Sequence, residues 1–191
     1  MINRIIKDIE FSLDNGAYLS ALSLLLMLPD ICGKAEYPNE ESNKKRYVQW
    51  YDAYPGKYER PPHRKEKLPY LSGEVIYSLR CSFLHQGNPN IENDKIKDDA
   101  CKVDEFIIEV EKPKEHGIYF DMSIAATVTH ADLSEETQKI YRLNLRSFAA
   151  ALCFTAGEYW KKNKERFNFF NYQIVDLDMQ SEWIKMMFGI G

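Results

Sequence analysis

The chain has 191 residues, 45% of them apolar and 28% charged, with a formal net charge of −4 at pH 7. That length suits one domain with a real core, and the composition excludes bulk disorder and argues against indiscriminate nucleic-acid binding. The four cysteines, Cys32, Cys81, Cys101 and Cys153, form no C-x-x-C pair, so neither zinc spacing nor a disulfide framework is indicated.

From the N-terminus, Ile2, Ile5, Ile6, Ile9 and Leu13 recur at three- and four-residue steps and predict an amphipathic helix over 2–14, stopped by Asn15-Gly16. A second helix, about 17–28, is apolar nearly all round and belongs at the centre of a bundle. Pro29 is expected to end it, with only a short further turn before Gly33. Its "ALSLLLML" run is far shorter than a membrane span of roughly 20 residues. The mixed charges of "MINRIIKDIEF" do not read as a signal peptide, so the expected compartment is the cytoplasm.

A third helix is predicted over 42–54, with Tyr47, Trp50, Tyr51 and Tyr54 along one side. Ser72 is placed to cap a fourth, about 73–86, and Gly87 with Pro89 to stop it. Past a polar linker, "EFIIEVE" and "GIYFDMSI" predict a β-hairpin across "KPKEH", near residues 103–125. Asp132 to Glu135 reads as a capping box for a long helix over 134–163, and a short amphipathic helix over 179–188 follows. The expected fold is one mainly α domain across 1–191, a bundle of about five to six helices with a β-hairpin elaboration.

The stretch "YSLRCSFLHQGNP" carries the chemistry. Arg80 and His85 lie five residues apart, about 140° around an ideal helix, so two straight mid-helix side chains there do not point at one spot. Convergence would need the helix end to unwind near Gly87, or a twin chain to face it across a two-fold axis. Histidine can move a proton near neutral pH, and arginine can hold phosphate oxygens. A bland alternative has Arg80 paired with a carboxylate and His85 capping its own helix.

This stretch resembles the R-x4–6-H motif of the HEPN superfamily. "ALSLLLMLPDICGKAEYP" with "RYVQWYDAY", and "YRLNLRSFAAALCFTAGEYWKKNKERF", are similar to an uncharacterised bacterial HEPN-like group. The resemblance covers most of the chain apart from the hairpin and the extreme C-terminus. It implies a helical bundle that forms a homodimer and a metal-independent ribonuclease with Arg80 and His85 as catalytic residues. It also implies RNA as substrate, a toxin–antitoxin or phage-defence setting, and a nucleotidyltransferase-type antitoxin as partner. Catalytic members often carry a polar residue after the arginine, where this chain has Cys81; Ser82, Gln86 and Asn88 are the nearby polar groups. A non-catalytic module binding RNA, a nucleotide or a protein partner is the alternative.

Residues 43–67 hold eight Lys or Arg against three Asp or Glu, a local +5. Lys44, Lys45, Arg46, Arg60, Arg64 and Lys65 are the RNA-binding candidates, although the interleaved aromatics follow helical spacing and also fit a core. His63, His116 and His130 do not pair at ligand spacing. The expectation is therefore no metal, and without a phosphate-binding glycine loop, no cofactor. Asp30, Lys34 and Glu36 gather near the expected helix break with no role assigned.

Overall fold

Periodic apolar side chains fix the N-terminal helices in the computed structural model, which describes residues 1–59, 69–112, 122–129, 135–172 and 174–188. Helix α1 (Ile2–Asp14) buries Ile2, Ile9 and Leu13, and the chain turns at Gly16, whose φ of 73° suits glycine. Helix α3 (Asn43–Ala53) starts on Ser42, whose hydroxyl accepts from the Lys45 amide. It is followed by the single turn α4 (Gly56–Glu59). Helix α5 (Gly73–Gln86) starts on Ser72, which accepts from the Val75 amide, and stops at left-handed Gly87, as the sequence predicts.

Helix α2 (Tyr18–Glu36) differs from expectation: it continues through Pro29 without interruption. A mid-helix proline withdraws one amide donor and crowds the carbonyl four residues back, at a cost of about 3 kcal/mol. Burial outweighs that cost here. Leu22, Leu25, Leu26, Leu28, Cys32 and Ala35 are all at most 3% exposed, and each fully buried leucine contributes about 1.5–3 kcal/mol. Helix α2 packs on α1, α3, α5 and the later helix α6 (Leu145–Lys162). At 19 residues it is long and apolar enough to cross a membrane by length and composition, but half of that stretch is buried inside the bundle.

The C-terminal half corrects the sequence reading twice. Strands β1 (Glu105–Glu109) and β2 (Met122–Thr129) do not pair with each other as a hairpin. Both flank β3 (Glu135–Asn144), β1 in parallel and β2 antiparallel. Residues 113–120, with most of the expected turn, lie outside the described residues, as do 131–134 of the expected capping box. Residues 135–144 are strand rather than helix. Tyr141 and Leu143 are buried at a two-residue step, and β3 exchanges backbone hydrogen bonds with neighbours on both sides. Helix α6 begins eleven residues later than expected, at a different cap: the Asn144 side chain accepts from the Arg146 and Ser147 amides. Arg146 locks the corner, donating to the carbonyls of Glu111 and Leu13 at 2.8 Å each. The last helix, α7, spans Leu177–Phe188.

Candidate functional site

The part of α2 beyond Pro29 brings Asp30 against the last turns of α5. Arg80 Nε donates to Asp30 Oδ2 at 2.9 Å, and Nη2 lies 2.9 Å from the same oxygen. The remaining arm turns away: Nη1 is 3.0 Å from Nε2 of His85. A guanidinium has only donors, so in this contact the Nε2 lone pair of His85 is the acceptor.

The 140° between the two positions does not keep these side chains apart. Helix α5 stays regular to Gln86, and the two side chains meet within one chain. Helical side chains lean toward the N-terminus, so the His85 ring tips back toward Arg80. Five residues rise only about 7.5 Å, a gap the long arginine arm closes. The bland reading is half right: Arg80 does pair with a carboxylate, but the helix is capped by Gly87 and not by His85.

The guanidinium lies 5.9 Å from the centre of the Tyr77 ring, which packs edge-on to Tyr47 at 5.2 Å. Tyr47 is buried and donates its hydroxyl to the Leu26 carbonyl at 3.2 Å. Arg80 and Asp30 keep 20% and 28% of their side chains exposed, while His85 opens to solvent. Burial raises the Asp30 carboxyl above its ordinary value, and the charge and hydrogen bond of Arg80, then the charge of Arg46, pull it back. For Arg80 burial opposes the charge, yet Asp30 and the Cys81 thiol together outweigh it and raise its pKa. Burial pushes the Tyr77 hydroxyl up as well, with Cys81 adding to the effect.

The supporting residues divide. Cys81 is half-buried and close enough to Arg80 and Tyr77 to contribute to the raised pKa of each. Ser82 is buried and donates to Glu92 at 2.9 Å, and the Glu92 amide donates to Ser78 at 2.8 Å, so two serines hold the 88–96 segment to α5, while Gln86 is exposed. Asn88 is exposed, with its amide on the Ser82 carbonyl at 3.3 Å.

Among the basic candidates, Lys44 reaches the Lys95 carbonyl and Lys45 lies 3.7 Å from Glu40. Arg46 bonds the Glu40 carbonyl and the Asn43 side chain. Arg60, Arg64 and Lys65 lie outside the described residues, as do His63, His116 and His130. The aromatics take the core reading: Tyr47, Trp50 and Tyr51 are at most 1% exposed, and Trp50 stacks on Tyr54 at 5.2 Å.

Sequence reasoning missed the roles of Asp30 and Glu92. A signal for Asp30 existed, since it is the only charged residue between Tyr18 and Gly33; the expected stop at Pro29 hid its place on the central helix. Glu36 is engaged elsewhere, accepting from the Tyr159 hydroxyl at 2.7 Å and from Arg166. Lys34 stands 4.7 Å over the Phe169 ring. Comparison with protein families, with characterised proteins and with solved structures returns no match.

Proposed function

We propose that the chain is a HEPN-type, metal-independent endoribonuclease working as a cytoplasmic homodimer, of the kind used as a toxin or in phage defence. The observation that carries this reading is the 3.0 Å approach of Arg80 Nη1 to His85 Nε2 at the open end of α5. Asp30 holds one edge of the guanidinium and leaves the other to face a ligand. A scissile phosphate competes for the Nη1 hydrogens and frees the His85 lone pair. His85 then takes the proton of the ribose 2′-hydroxyl, the 2′-oxygen bonds to phosphorus, and the bond to the 5′-oxygen breaks. The second copy of the site, entering with its imidazole protonated, gives a proton to that oxygen, so one ring gains the proton the other loses. The products are a 2′,3′-cyclic phosphate and a 5′-hydroxyl, with Arg80 stabilising the charge that grows on the phosphate.

Because Asp30 neutralises Arg80, attraction for RNA has to come from other cations; Lys44, Lys45, Arg46, Arg60, Arg64 and Lys65 fill that role. A nucleotidyltransferase-type antitoxin fits as partner. The deciding experiment incubates purified protein with RNA in EDTA and identifies the end groups. Cleavage that His85→Ala stops, at unchanged melting temperature, supports the reading; cleavage that survives removes His85 from it. A second reading, a non-catalytic RNA- or partner-binding module, is favoured by Asp30 occupying two arms of the Arg80 fork. It expects Arg80-dependent binding without turnover.

A further inference from the structure

The far end of the chain carries apolar surface that the bundle does not use. Helix α7 is 12 residues, about 18 Å long, and is set up locally by Asp176, which accepts from the Asp178 and Met179 amides at 3.1 Å each. Leu177, Met179, Trp183, Met186, Met187 and Phe188 are 57–78% exposed. Among the described residues, no hydrogen bond, ion pair or ring contact ties this helix to the bundle. Such a run of large side chains marks a surface that some partner covers.

Charge decides what kind of partner. By sequence, 176–188 holds Asp176, Asp178 and Glu182 against Lys185, a net −2. Helices that lie on anionic lipid carry the opposite bias, so the partner is a cationic apolar groove. The same chain has one. Between α6 and the α3–α4 corner lies an open groove of about 800 Å³, walled by Tyr54, Pro55, Tyr58, Phe154 and Tyr159 and rimmed by Lys57 and Lys162. Its one acid, Glu158, is taken up by Lys161 at 2.8 Å. Phe154 and Tyr58 are 73% and 78% exposed, so the groove stands as open as the helix.

We propose that α7 docks into this groove on a second copy of the chain. Each copy gives one helix and receives one, a reciprocal exchange about a two-fold axis that closes at the dimer and leaves neither apolar surface bare. Acidic Asp176 and Asp178 lie near Lys57 or Lys162 of the other copy. The interface uses neither Arg80 nor His85, so it stands whether or not the chain cuts RNA.

Light scattering on the full chain tests this, with Trp183 emission taken in parallel as the difference from a Trp183→Phe control, since Trp50 and Trp160 also emit. The expected result is a dimer with blue-shifted emission. Phe154→Asp in the groove and Met187→Asp on the helix each weaken dimerisation at least 10-fold and shift Trp183 emission to the red. An equimolar mixture of the two variants regains a heterodimer, since it keeps one intact groove and one intact helix. A synthetic 174–188 peptide binds the Met187→Asp protein but not the Phe154→Asp protein, which checks the groove independently of the dimer's stability. A monomer whose Trp183 emission is already blue-shifted, meaning the helix folds back on its own groove, overturns the proposal. So does a dimer that neither substitution weakens.

Discussion

Two carboxylates six residues apart on α2 each bind an arginine, and the third member of each cluster sets them apart. Asp30 takes Arg80, whose spare arm meets the exposed imidazole of His85. Glu36 takes Arg166, with the remaining contact filled by the hydroxyl of buried Tyr159 at 2.7 Å. Burial and the Glu36 contact drive the Tyr159 hydroxyl far above its usual range, so it stays a fixed donor. The second cluster is a closed buttress between α2, α6 and the 3-10 turn Lys164–Phe167. The first has the same ionic pairing but ends in a group that can trade a proton with a ligand. A salt bridge on a central helix thus says little about role until its last partner is known.

The comparison can be broken most directly at its open end. His85→Ala should lower cleavage of RNA in EDTA by about 100-fold or more, with the melting temperature unchanged, because the ring is exposed. A large fall in melting temperature would make the contact structural, like the Glu36 cluster. Gly33, lying between the two carboxylates, tests both at once. A Cβ there would sit 2.7 Å from the Arg46 carbonyl oxygen, which is backbone and cannot swing aside. Gly33→Ala should therefore force α3 off α2 and cost about 3 kcal/mol, read by urea denaturation.

Asp30→Ala leaves Arg80 partly buried and unpaired. Since both side chains retain some exposure, the cost should be about 2 kcal/mol, between surface and fully buried pairs, and cleavage should fall with it. Tyr159→Phe, its counterpart, should cost about 1 kcal/mol and leave cleavage untouched. Loss of cleavage there would erase the distinction between the clusters. The smallest effect is chemical. Burial pushes the Cys153 thiol up to about 12 and the Cys32 thiol higher still, so both should resist maleimide at pH 8 until the chain is unfolded. Mass spectrometry of peptides from the native protein reads this.

Much of the helical half was legible because local and tertiary signals agree there. The Ile2 to Leu13 spacing, the Ser42 and Ser72 caps and left-handed Gly87 each specify an element without help from distant residues. Pro29 shows the opposite case: a local stop signal overruled by side chains buried against α1, α3, α5 and α6. Residues 135–144 failed for a related reason. Ile140 and Leu143 fit a helical step, but the segment is strand because β1 and β2 flank it, and no local window contains those neighbours. Of the site, Arg80 and His85 were legible by type and place at a helix end. Their contact was not, since it depends on side-chain lean and reach rather than on the angle between Cα positions. Asp30 is invisible without the fold, because 50 residues separate it from the arginine it holds.

The central place of β3 bears on how the molecule assembles during synthesis. A ribosome releases β1 and β2 before the strand that joins them, so neither has its observed partner until residues 135–144 emerge. The residue that finishes β3, Asn144, also starts α6. Closing the sheet and laying the final core helix across α1 and α2 are therefore coupled in a single late step, and a nascent chain stalled before Asn144 would hold a bundle with one wall missing.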